Sequence, residues 1–384
     1  MEINLFTLGD SRDINTWSGF PYFVSNALER NGVTLNRIDV FPDRWIQEFY
    51  NAFFGYWARF SRLFFRRNAS RNFYFSRMML TLVTHKVKVG CARFPNADYH
   101  LFMGPDVPIY KFSSTPTLLY LDQSFAQAFD RQHKSVLTRM EKFYLDMQNE
   151  NLRRARWVFA TNPGAIEFLR IHTGLQNLFL RPLTGINLEV NNVDIKKIIE
   201  RKRCTRDLLF IGRNVSGRGA DILLAAFRLL NDRCKEAYRL HLVGMTREEL
   251  GAREDEQIVC YGFLDKSKPA NLATYLDLLS SARVFVMPYR GSLLAFAMLE
   301  AMAMGTPVIV SNVTGITQFV QNMENGLVLD ETAPDAFADA IERLTQDHQL
   351  WERLAQNAYT SMKKYSWDQV ARDILGVLNF QHTE

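Results

Sequence analysis

The feature that most constrains this chain is a recurring unit: a short, largely apolar run ending at a glycine, proline or serine, then a segment of helix length. In the second half the runs are Leu208-Leu209-Phe210-Ile211-Gly212, Leu240-His241-Leu242-Val243-Gly244, Ile258-Val259-Cys260-Tyr261-Gly262, Val284-Phe285-Val286-Met287-Pro288 and Val308-Ile309-Val310-Ser311. Runs this short, without polar alternation, suit strands buried on both faces. Strands that alternate with helices build a parallel sheet. The first half repeats the pattern. Ile3–Leu8 precedes Gly9-Asp10, a helical stretch 22–30 stops at Asn31-Gly32, and Ile38–Phe41 follows. Further strands are expected at 101–104, 118–122, 157–161 and 178–182, with helices near 134–153 and 163–170. The 384 residues suffice for two large domains. Polar, charged sequence at 188–206, with Asn191-Asn192 and Glu200-Arg201-Lys202-Arg203, marks the division. The expected organisation is a domain over 1–189, a linker over 190–206, a second domain over 207–364 and a terminal helical segment over 365–384.

Charge is unevenly spread. The chain carries +5 overall, yet Arg44–Arg93 holds ten Lys/Arg against the single acid Glu48. In the same stretch Trp45, Phe49, Phe53, Trp57, Phe60 and Phe64 recur at helical spacing. This predicts a helical insertion over about 43–93, either core-facing with a solvated basic side or docked on an anionic surface. Arg59, Arg62, Arg66 and Arg67 are the candidate cations for an acceptor, a membrane or a nucleic acid. Cys91, Cys204, Cys234 and Cys260 form no CxxC, so neither a zinc ribbon nor a small disulfide framework is expected, and the thiols are read as reduced and mostly buried. Met1–Phe6 has no basic, long-apolar leader and no window of 18 uncharged apolar residues occurs. The expectation is a cytoplasmic chain whose basic segment could rest on the inner face of a membrane.

Two loops can carry chemistry. Gly212-Arg213-Asn214-Val215-Ser216-Gly217-Arg218-Gly219 joins a strand end to a helix start. Its glycines allow close backbone approach, and its arginines with a helix N-terminus can hold phosphate. The competing reading is a glycine-rich turn with solvated arginines. The second loop, Pro288 to Ala295, leads into a helix carrying Glu300 in apolar company. Such an acid needs a partner: ribose hydroxyls, or structurally an arginine.

Glu300-Ala301-Met302-Ala303-Met304-Gly305-Thr306-Pro307-Val308-Ile309 resembles the E-A-M-A-x-G-T-P-V-I segment of retaining GT-B glycosyltransferases of family four. Trp17-Ser18-Gly19, Leu119–Asp122, Gly185-Ile186-Asn187-Leu188-Glu189 and Tyr365-Ser366-Trp367 also resemble stretches of that family, so the likeness runs from about 3 to 380. The resemblance implies two Rossmann-like parallel-sheet domains facing across a cleft, with the last helix crossing back. It implies a nucleotide-diphosphate sugar, UDP- or GDP-linked, as donor and no resident cofactor. Arg213 and Arg218 would stabilise the leaving diphosphate, and Glu300 would hold the ribose. Gly19, Gly212, Gly262, Ser292, Leu293, Leu294 and Ala295 would line the donor. Asp122, at a strand end, would contact the reacting sugar or acceptor; its alternative is a cap of the following helix. With no DxD and two arginines present, no metal is expected.

Departures from the family's pattern fall in the sugar half. Ser292 stands at the family's first glutamate, Leu293-Leu294-Ala295 at its Pro-Phe-Gly, and Arg218 at its usual lysine. The expected activity is transfer to a surface-glycan, lipid-linked or other anionic acceptor. The alternatives are glycosylation of a modified base in nucleic acid, and a non-catalytic accessory subunit that keeps nucleotide binding.

Overall fold

The computed structural model describes the chain except residues 53–72, 105, 132–135, 190–193, 214, 234–237, 251–254, 291–294, 314–315 and 380–384. It forms two compact units, Met1–Thr16 with Val24–Leu183, and Trp17–Phe23 with Thr184–Glu384.

The first unit is built on five parallel strands in the order β2-β1-β3-β4-β5. They are β1 Glu2–Thr7, β2 Thr34–Asp39, β3 Tyr99–Met103, β4 Thr117–Leu121 and β5 Trp157–Ala160. β1 and β3 are buried along almost their whole length, which is why they read as continuous apolar runs. From β1 the chain goes one way to β2 and the other way to β3, so the topology reverses between β1 and β3. The helix Arg77–Arg93 turns Met79, Val83, Val87 and Gly90 inward. A Cβ at Gly90 would lie 2.9 Å from both Ile38 and Phe6, so only glycine lets this helix approach the sheet.

The second unit has six parallel strands in the order β11-β10-β9-β6-β7-β8. They are β6 Asp207–Ile211, β7 Arg239–Val243, β8 Ile258–Cys260, β9 Val284–Met287, β10 Val308–Ser311 and β11 Gly326–Leu329. Its core is continuous from Leu208 to Met362. Here the reversal lies between β6 and β9. No helix among the described residues is long and apolar enough to cross a membrane.

Several expectations need correction. The second strand runs over Thr34–Asp39 rather than 38–41, because an edge strand need not be apolar; Asn36 there donates to Glu2 and Asn4. Residues 178–182 make no strand, only a bridge from Leu178 to Val158: Phe179 N donates to Val158 O, and the next donor to β5 is Leu183 N, on Ala160 O, beyond the expected run. β11 went unexpected. The helix expected from 134 begins at Arg139, where Thr138 and Glu141 form a capping box. Residues 44–52 are helical, but Trp45 and Phe49 are each 66% exposed, so this part of the stripe does not face a core. Cys204 is exposed and Cys91 and Cys260 are half-buried, contrary to the expectation of mostly buried thiols; all three are unpaired.

Candidate functional site

In an open parallel sheet, loops leaving the carboxyl ends of the two strands at the reversal part and leave a crevice for ligand. In the second unit these are the loops after β6 and β9, the two singled out in the sequence. They meet closely. A Cβ on Gly219 (φ +78°) would stand 1.9 Å from the Pro288 carbonyl oxygen. Asp221, in the first turn of the helix Ala220–Arg233, accepts both guanidinium nitrogens of Arg290 at 2.7 Å. That pairing, first of all, lowers the Asp221 pKa. Gly244 (φ +94°), at the end of β7, closes the other side: a Cβ there would be 2.7 Å from the Gly212 oxygen. Gly262 (φ +61°) faces open space.

Both candidate arginines lie over aromatic rings. The Arg213 guanidinium is 4.0 Å from the centroid of Phe263, and that of Arg218 is 4.8 Å from the buried Tyr289 ring. Phe263 is itself 52% exposed. A ring beneath a guanidinium restrains its plane and leaves its edge N–H groups to face an anion.

Glu300, on the helix Phe296–Ala303, is 1% exposed. Its partner is a lysine, not the arginine considered from sequence: Lys266 Nζ lies 2.9 Å from Oε1 and 3.1 Å from Oε2. Tyr275 donates its hydroxyl to Oε2, and Lys266 rests 4.3 Å above the Tyr275 ring. Burial first, and then the Glu300 charge, push the Tyr275 pKa well up, so the phenol stays protonated as a donor. These three contacts leave part of the acceptor capacity of a carboxylate, about four sites, unused. Ala295 precedes the helix as its cap residue without a side-chain hydrogen bond.

The Trp17-Ser18-Gly19 turn belongs to this unit. All three residues have positive φ, 48°, 59° and 91°, an unusual conformation for two non-glycine residues. Asn187 ties the turn down: its Nδ2 donates to Ser18 O at 2.7 Å while its Oδ1 accepts from Trp367 Nε1 at 2.9 Å. Phe20 stacks on Phe296 at 6.0 Å and packs on Trp367 at 5.6 Å. Gly19, Ala295 and Glu300 are thereby gathered at one helix.

In the first unit Asp122 follows β4 and is exposed. It does not cap the next helix; Ser124 does, accepting from Gln127 N at 3.2 Å. Asp122 Oδ1 accepts from Thr161 Oγ1 at 2.9 Å. Arg59, Arg62, Arg66, Arg67, Ser292, Leu293 and Leu294 lie outside the described residues. Among the described residues no group of three His, Cys, Asp or Glu is placed to hold a metal ion. Lys266, Phe263 and Asn187 were missed as site residues. Lys266 sits in Asp265-Lys266-Ser267-Lys268, which reads as a solvated charge run, and nothing local reveals its buried partner.

Residues 205–347 match the family described as Glycosyl transferases group 1. An uncharacterized glycosyltransferase from Methanocaldococcus jannaschii is 30% identical over 178 residues, 44% of either chain. The chain thus spans less than half the length of the curated relatives it matches. Among solved structures, sucrose-phosphate synthase from Thermosynechococcus elongatus superposes with a TM-score of 0.69 at 18% identity, covering 100% of this chain and 99% of that one. Anabaena HepE, solved in complex with UDP-glucose, gives 0.62 at 14% identity, covering 98% and 99%. At these identities the likeness speaks to the fold.

Proposed function

We propose that this chain, in which residues 205–347 form a group 1 glycosyl transferase domain on a GT-B fold, moves a sugar from a nucleoside diphosphate donor to a hydroxyl of a surface-glycan, lipid-linked or other anionic acceptor. One observation carries the reading: Arg213 and Arg218, each laid on an aromatic ring, at the sheet reversal where two glycine-bearing loops touch. The likeness to HepE, solved with UDP-glucose, favours UDP as the nucleotide.

In this reading the bond from the sugar anomeric carbon to the phosphate oxygen breaks and its electron pair stays on the diphosphate. Arg213 and Arg218 stabilise that charge in place of a divalent cation. Fixed cations aimed at developing charge are worth several kcal/mol, about 1.5–3 for each charged hydrogen bond. The acceptor oxygen bonds to the same face of the sugar, retaining its configuration, and its proton passes to the departing phosphate oxygen. No protein nucleophile is required. Glu300, oriented by Lys266 and Tyr275, accepts from the ribose with its remaining capacity. Gly19, Gly212, Gly262 and Ala295 give backbone access and Asp122 meets the reacting sugar or acceptor; Ser292, Leu293 and Leu294, outside the described residues, keep the donor-lining role that the family resemblance implies. The basic stretch Arg44–Arg93 draws the anionic acceptor or the surface that bears it.

The test is a panel of UDP-, GDP- and ADP-sugars with chelator present, recording thermal shift and nucleotide release. Selective stabilisation with slow release of UDP is expected, and Arg218→Ala should weaken UDP binding about tenfold or more. No stabilisation by any nucleotide sugar overturns the donor site. Binding that never leads to release or transfer, with lipid or polymer acceptors added, overturns the catalytic reading.

A further inference from the structure

The first unit has a cavity where its own topology reverses. It measures about 100 Å³ and is bordered by Leu8, directly after β1, and Gly104, directly after β3. Phe125, which opens the helix after β4, forms a third side. Parallel sheets of this strand order take ligands at this point, yet none of the residues singled out in the sequence borders it.

The walls are hydrocarbon. Phe75, Met79 and Val83 come from the short turn Phe73–Phe75 and the helix behind it, and Tyr144 comes from the helix Arg139–Arg154. The rings brace one another: Phe75 stands 5.3 Å from Phe125 and 5.4 Å from Tyr144, both edge-on. The Tyr144 hydroxyl is engaged elsewhere, donating to Ser76 O at 3.1 Å. The hollow is partly open to solvent beside the half-exposed Tyr74, so a ligand can enter it. A hollow lined by interlocked rings at a ligand-binding position is a candidate site.

One ionisable group joins the lining. Asp106 Oδ2 accepts from Gln148 Nε2 at 2.8 Å, and Gln148 Oε1 accepts from the Phe125 backbone N–H at 2.5 Å. The carboxyl is thus held in orientation by the helix that closes the cavity. Burial pushes the Asp106 pKa up to about 7, against the opposing hydrogen bonds of Gln148 and Asn151.

We infer that this cavity is a subsite for the apolar portion of the acceptor, a compact hydrocarbon group carrying a hydroxyl or amide that hydrogen-bonds to Asp106. An apolar cavity of about 150 Å³ accommodates benzene, so this smaller one of about 100 Å³ takes a group of about four carbons. A bare sugar or a phosphate, each needing several polar partners, is a poor match for such walls. The inference rests on the glycosyl-transfer reading and narrows its acceptors to those with a hydrocarbon part beside the accepting hydroxyl.

The experiment titrates isobutanol, and separately methyl glucoside, into the full chain and follows ligand-observed saturation-transfer NMR. Isobutanol should bind and methyl glucoside should not. Leu80→Trp and Val83→Phe, which each put a ring into the cavity, should each abolish the signal, and Asp106→Asn should weaken it about three- to tenfold. Urea midpoints identify which variants fold, and either filling variant suffices. Release of UDP from UDP-sugar should be unchanged in all of them, because the donor residues belong to the other unit. No isobutanol signal in the native chain, an undiminished signal in a folded filling variant, or preference for methyl glucoside overturns the inference. Absence of UDP release in the native chain strikes the transferase reading and leaves the cavity result to be judged separately.

Discussion

Replacing Gly219 by alanine tests the close approach on which the donor site is built, and Gly262→Ala is its internal control. Both glycines are left-handed, φ +78° and +61°, so alanine meets a similar conformational penalty at each, about 1–2 kcal/mol. Their surroundings differ. At Gly262 nothing lies within 4 Å of the added Cβ, whereas at Gly219 it would sit 1.9 Å from the Pro288 oxygen and 2.6 Å from its carbonyl carbon. Ordinary contact begins near 3.4 Å, so the two backbones must separate by about 1.5 Å. That movement strains the Asp221–Arg290 pair and shifts Arg218 over Tyr289. Overpacking of a well-packed region costs about 1–3 kcal/mol beyond the conformational term. Gly219→Ala should therefore lose about 2–5 kcal/mol and Gly262→Ala about 1–2. Equilibrium urea unfolding followed by circular dichroism measures both, with UDP titration of the folded proteins alongside. Equal losses for the two variants, or a Gly219→Ala protein with native midpoint and native UDP affinity, would refute the contact and the role built on it.

Phe263→Ala removes the ring under Arg213; at an exposed site this interaction is worth about 0.5–1 kcal/mol, so UDP should bind roughly two- to fivefold more weakly in calorimetry with stability nearly unchanged. Glu300→Gln leaves Lys266, 14% exposed, without its counter-charge, and unfolding free energy should fall by about 3 kcal/mol. Adding Lys266→Met should recover much of that loss, and no recovery would show that the pair is not what holds Glu300. Lys202 is wholly buried, donating to Met304 O at 2.7 Å, and desolvation foremost lowers its pKa well below the usual lysine value. Since the folded state prefers the neutral amine, stability is fully present above about pH 10.4, the unfolded lysine value, and declines as pH falls toward the folded pKa. Lys202→Met should thus gain on the native protein between pH 10 and pH 7 in urea midpoints; a pH-independent difference would contradict it.

How far the residues could be read alone varies with how local the cause is. Strands buried on both faces announce themselves, because every side chain must be apolar; β6, β7 and β9 stand within a residue of where their runs place them. β2 was misplaced because this edge strand buries little and so carries little apolar pattern, whereas β11, the short run Gly-Leu-Val-Leu, was missed although half of it is buried. The glycine–arginine loop was visible because glycine and paired cations are unusual together. Phe263, Lys266 and Asn187 were not. Each acts on a residue at least 34 positions away, Lys266 on Glu300, Phe263 on Arg213 and Asn187 on Trp367, and such a reach is silent in a local window.

Periodicity and composition alone determined that this chain forms two parallel α/β sheets and that its cationic charge is concentrated in one stretch, because apolar spacing and side-chain charge are properties of neighbours in the chain. Folding decided what faces what. It set Glu300 against Lys266 rather than an arginine, moved Trp17–Phe23 into the second unit through Asn187 and Trp367, and opened an aromatic cavity beside Asp106 at the other sheet's reversal. Those pairings join residues from separate strands and helices, and only packing in three dimensions selects which of many compatible partners each one meets.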